Sequence, residues 1–186
     1  MKNYIIIAFC LFCSLSYGQS INSHWSRTLN NELEQFKTCE NIASTGISPC
    51  NKFVGGALST VYNINDFYSK ELGRHMLISE ISDFLKNSNK WTLLGHAYEQ
   101  EALNEAQNYA NARKAAVAVY ISEEGTGHVS LILPGEMNPS GSWRFKVPNS
   151  ASFFLSTPEK SYVDKGLSYA FERNLIKEVL LYGRNY

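Results

Sequence analysis

The order of two hydrophobic patterns along the chain most constrains what it can fold into. Up to Lys114, apolar residues recur at spacings of three and four, as in amphipathic helices, in RTLNNELEQFKT, NKFVGGALSTVY, SEISDFLKNS (with Ser79 as its cap) and EQEALNEAQNYANARK. After Lys114, short apolar or alternating runs predict strands in AAVAVYIS, HVSLILP, SWRFKV, ASFFLS and LIKEVLLYG. Helices followed by an antiparallel sheet are typical of the α+β class, which we therefore predict.

The first residues, MKNYIIIAFCLFCSLSYGQS, have the features of a secretory signal peptide. Lys2 precedes an apolar run, and small residues stand at Ser16 and Gly18. The run is too short for a stable membrane anchor, and neither leader cysteine follows a lipobox. We predict cleavage after Gly18, with residues 1–18 as the leader and 19–186 as one periplasmic or secreted domain.

The charge of the predicted mature domain is nearly balanced, with 16 basic and 17 acidic residues and no basic cluster. Such a balance predicts no positively charged surface that would bind nucleic acid or an anionic membrane, and we predict neither as a partner. No two histidines or cysteines stand at zinc-ligand spacing, and no complete phosphate-binding loop occurs. We therefore predict no metal and no other cofactor, and we expect a monomer.

Two cysteines, Cys39 and Cys50, remain once the leader is removed. Export favours a disulfide between them, which would close a loop of about ten residues. The local context favours a reactive thiol instead, because Cys50 follows Ser48-Pro49 at the predicted start of a helix. There the helix dipole would favour a thiolate, and unpaired N–H groups, including that of Cys50, could form an oxyanion hole. The residues alone leave both interpretations open.

A thiolate also needs a basic partner, and His128 is the best of the four histidines. It opens a predicted strand directly after the turn Gly125–Gly127, so its ring could project from a sheet edge toward a helix end. A third group on the neighbouring strand would hold that ring in one tautomer. Asn149, at the end of SWRFKVPNSAS, is the candidate, with Ser150 and Ser142 behind it.

The quoted pieces resemble a known family. CNKFV at a helix start, followed by GHVSLILPG on a strand, resembles the papain-like NlpC/P60 and CHAP cell-wall amidases, and WTLLGHAYEQEALNEAQNYANARKAAVAVY is similar to the linking segment of CHAP-like and secretion-system amidases. The resemblance implies that a helix bearing the cysteine packs on an antiparallel sheet bearing the histidine. It also implies cleavage of an amide in peptidoglycan stem peptides, with an inhibitor or immunity protein as a further partner. The interval of 21 positions between His128 and Asn149 departs from the family's pattern.

In the mechanism that follows from this hypothesis, Cys50 attacks the amide carbonyl, His128 protonates the leaving amine and then activates water, and Asn149 orients His128. A cysteine acyltransferase or transpeptidase would use the same residues with an amine as acceptor. The alternative from another class is a non-catalytic exported binding module that contains a Cys39–Cys50 disulfide.

Overall fold

The computed structural model describes residues 20–40 and 47–186. The predicted leader and its cleavage site after Gly18 lie outside these residues. Within them the chain forms four helices and an antiparallel sheet, which confirms the α+β class.

Each of the four helical segments predicted from periodicity forms a helix. Their bounds are α1 Trp25–Lys37, α2 Asn51–Tyr62, α3 Ile78–Asn87 and α4 Gln100–Asn111. The residue at the cap of α3 is Leu77, so the predicted Ser79 cap is wrong. Glu80 reaches back to accept a hydrogen bond from the Leu77 N–H at 2.7 Å, and an acidic side chain is favourable at this end of a helix.

Six strands form the main sheet, in the order β3-β10-β4-β5-β8-β9, with every neighbouring pair antiparallel. Their bounds are β3 Trp91–His96, β4 Ala116–Ile121, β5 Gly127–Ile132, β8 Asn149–Ser152, β9 Tyr162–Gly166 and β10 Leu180–Arg184. Two hairpins stand apart from this sheet: β1 Tyr68–Ser69 with β2 Arg74–His75, and β6 Asn138–Ser140 with β7 Phe145–Val147.

The segment SWRFKV departs from the sequence prediction. Only Phe145–Val147 is a strand, and it pairs with β6 rather than joining the main sheet. Trp143 lies in the turn before it, buried, with its indole N–H donating to the Phe171 carbonyl at 3.1 Å. Because that buried N–H needs an acceptor, the tryptophan is held by the chain after β9 rather than by strand alternation.

The main sheet carries a hydrophobic core on each face. On the first, here called the cysteine face, α1, α2 and α3 pack against residues such as Val117, Val129 and Leu131. On the second, the histidine face, α4 and the β6–β7 hairpin cover residues that include Ala118 and Ile132. Successive side chains of a strand point to opposite faces, so adjacent residues enter different cores.

Candidate functional site

Cys50 stands where the sequence predicted it, directly before the first residue of α2. Ser48 and Pro49 turn the chain into the helix, and the Cys50 N–H donates to Ser48 Oγ at 3.1 Å. That N–H is therefore already satisfied and is not a vacant oxyanion donor. The residue is only 2% exposed, within the core of the cysteine face.

The sulfur of Cys50 is bonded to that of Cys39, at 2.02 Å. The bridge joins the chain just beyond the end of α1 to the start of α2. A sulfur in a disulfide is neither a thiol nor a thiolate and cannot attack a carbonyl. The structure thus forms the pairing that the sequence left open as the alternative, and the predicted nucleophile is not free.

His128 lies on β5, as predicted, but its ring enters the histidine face. Its neighbour Val129 packs in the core that contains Cys50, and strand alternation sends the two side chains to opposite sides. The imidazole stacks on Phe154 at 4.2 Å between ring centroids and 3° between planes, with Phe171 edge-on at 5.4 Å. The sheet therefore stands between His128 and Cys50, and the structure does not bring them together.

The surroundings of His128 keep its ring neutral. The residue retains some exposed surface, yet its Nε2 is inaccessible to solvent and has no hydrogen-bond partner among the described residues. Burial lowers the pKa of His128 to about 4, because the charged ring is poorly solvated there. Among the described residues, no hydrogen bond to Nε2 holds the ring in a catalytic tautomer.

Asn149 also fails to meet His128. It lies on β8, the neighbour of β5, but its carbonyl accepts the Leu133 N–H at 2.8 Å, five residues beyond His128. At about 3.4 Å per residue this places the two residues about 17 Å apart along the strand. The side-chain amide donates instead to Asp164 Oδ1 at 2.6 Å. The predicted Cys50–His128–Asn149 site is therefore not formed, and Asn149 has a structural role.

A different site, which the sequence analysis missed, lies where α1, α2 and β2 meet. This cavity, here called the Glu32 cleft, measures about 350 Å³. Its polar lining includes Glu32 and Thr60, with Lys52, Gly56 and His75 around them. Lys52 belongs to the quoted motif CNKFV, but no local spacing could have paired it with Glu32 on another helix.

The Glu32 carboxylate is the most unusual group in this cleft. One oxygen, Oε1, accepts a hydrogen bond from Thr60 Oγ1 at 2.6 Å, while Oε2 is buried and has no partner among the described residues. Burial raises the pKa of Glu32, and the hydrogen bond from Thr60 partly opposes this rise. In residues 20–40 and 47–186, Glu32 forms no ion pair. Such a carboxylate can accept a hydrogen bond from a ligand cation.

Comparison with known proteins adds no family: no protein-family model matches the chain, and no curated protein is significantly similar to it in sequence. No helix in the described part of the chain is long and apolar enough to cross a membrane. In the same part, no three His, Cys, Asp or Glu side chains are grouped to hold a metal ion.

Proposed function

We propose that this protein is an exported, disulfide-bonded module that binds peptidoglycan stem peptides without cleaving them. The observation that carries the proposal is the Cys39–Cys50 bond, which occupies the sulfur that a cysteine amidase would need. The placement of His128 on the opposite face supports it, because reduction alone would not bring the imidazole to Cys50.

Three parts of this proposal rest on the sequence: the peptidoglycan ligand, the export of the protein and the papain-like NlpC/P60-type fold. CNKFV starts α2, GHVSLILPG contains β5, and α2 packs against this part of the sheet, with Tyr62 donating to the Ile132 carbonyl at 2.6 Å. This order of elements is compatible with the resemblance. Export through the predicted leader agrees with a disulfide, since such bonds persist in oxidising compartments.

A second candidate is the cysteine amidase, or the related acyltransferase, active only after reduction. One observation favours it: Cys50 lies at the start of α2, where the helix dipole would lower the pKa of a free thiol. It requires His128 to leave its stack on Phe154 and reach the other face of the sheet.

The test uses the secreted mature chain and purified peptidoglycan. Sedimentation with the insoluble wall measures binding, and mass spectrometry of the soluble fraction measures cleavage, each with and without a reductant. We expect sedimentation of the oxidised protein and no released peptides in either condition. Release by the reduced protein, lost in Cys50→Ala, would establish the amidase instead. Failure to sediment with any peptidoglycan type, with no release, would refute both candidates.

A further inference from the structure

We infer that the Glu32 cleft binds a free amine of a peptide ligand, with a carboxylate of the same ligand near Lys52. The inference rests on the proposed function for the identity of the peptide, but its chemistry comes from the cleft itself. The acidic Glu32 and the basic Lys52 line the same cavity of about 350 Å³. A cavity of this size admits one or two amino-acid residues rather than a folded domain.

The buried carboxylate of Glu32 favours a bound cation. A carboxylate oxygen that is removed from water and lacks a hydrogen bond is unfavourable, and a charged donor relieves this cost most effectively. Oε1 already accepts a hydrogen bond from Thr60, and Oε2, which has no donor among the described residues, would accept one from an ammonium once the carboxylate turns toward the cleft. A ligand ammonium supplies both a positive charge and N–H donors at that position.

The nearby imidazole of His75 does not supply this positive charge. Burial lowers the pKa of His75, with the Phe67 carbonyl opposing the shift, so the ring is neutral at physiological pH. Lys52 provides a cation elsewhere in the lining, with its Nζ 5.1 Å from the centroid of the Phe53 ring. Lys52 makes no ion pair among the described side chains and is suited to a ligand carboxylate.

The wall of the Glu32 cleft has open space at Gly56. A Cβ added at Gly56 would have only His75 Nε2 near it, at 4.0 Å, whereas one added at the adjacent Gly55 would come within 2.8 Å of His75 Nδ1. Gly56 therefore faces space that a ligand can occupy, although glycine is unfavourable in a helix interior. A Cβ at this position has no backbone atom within 4 Å apart from its own helical turns, and a larger side chain would extend from it beside the cleft that Gly56 lines.

Two variants and one control test this site. Glu32→Gln keeps the shape and removes the charge, and Gly56→Leu fills the cavity. Glu34→Gln is the matched control, because Glu34 lies on the same helix with its side chain 72% exposed and forms an ion pair with Lys37. Circular dichroism and thermal unfolding verify that each variant folds.

The probe is the tripeptide L-alanyl-γ-D-glutamyl-L-lysine, titrated by calorimetry in its free form and with both amines acetylated. We expect at least a tenfold loss of affinity for Glu32→Gln, for Gly56→Leu and for the acetylated peptide, and no change for Glu34→Gln. Equal binding of the free peptide by wild type and folded Glu32→Gln would overturn the assignment, as would equal binding of the free and acetylated peptides or no binding by wild type.

Sedimentation with whole peptidoglycan distinguishes a wrong assignment of the Glu32 cleft from a wrong proposed function. If Glu32→Gln and wild type sediment equally, the cleft assignment is wrong while wall binding stands. If wild type does not sediment but binds the soluble tripeptide through Glu32, the cleft assignment stands and the wall is not the target.

Discussion

Reduction of the Cys39–Cys50 bond is expected to destabilise the domain by about 3 kcal/mol. The bond joins residues 11 positions apart, and closing a loop of this length removes conformational entropy from the unfolded chain worth about 3 kcal/mol at 25 °C. For a domain of this size, the midpoint of thermal unfolding should fall by about 6–12 °C. The link also holds the end of α1 to the start of α2, next to the Glu32 cleft.

The assay is urea unfolding of the mature protein in its oxidised and reduced forms. The double variant Cys39→Ala/Cys50→Ala serves as control, because a reductant should leave its unfolding midpoint unchanged. Alkylation of the unreduced protein in concentrated urea, followed by mass measurement, reports the free thiols directly. Two alkylated cysteines in that sample, or equal stability of the oxidised and reduced forms, would refute the reasoning.

Three further variants test packing and charge. Asp66→Ala should cost about 1–3 kcal/mol in urea unfolding, because the half-buried Arg184 loses the carboxylate that it contacts at 2.6 Å; an unchanged free energy of unfolding would contradict this. Gly183→Ala should cost about 1–3 kcal/mol by the same assay, since its Cβ would approach the Tyr109 ring to 2.5 Å; wild-type stability would show that the ring moves freely. Burial lowers the pKa of His128 from 6.5 to about 4 in the folded protein. Above pH 6.5 the imidazole is neutral in both the folded and the unfolded chain, but as pH falls from 6.5 toward 4 the unfolded chain binds the proton more readily, and the folded protein loses stability. His128→Phe should therefore flatten the loss of stability in that range, measured by unfolding at several pH values, and an unchanged pH profile would contradict the buried neutral ring.

Local periodicity was sufficient to predict the helices and the central hairpin. Residues such as Leu29, Leu33 and Phe36 recur at helical spacing, and all three are buried on one side of α1. The edge strand β3 was missed, because its mixed burial gives no clean alternation. The Ser79 cap was wrong because Glu80, paired with Arg74, fixes the helix start two residues earlier.

The sequence by itself determined the α+β class, the place of Cys50 before α2 and the place of His128 on a strand. These properties depend on neighbours within one or two helical turns or on the two-residue repeat of a strand. Tertiary structure decided which face of the sheet His128 enters, because a change of one residue in strand register reverses every side chain. It also decided that Cys39 reaches Cys50 and that Glu32 and Lys52 share a cleft, since such contacts depend on how α1 packs against α2.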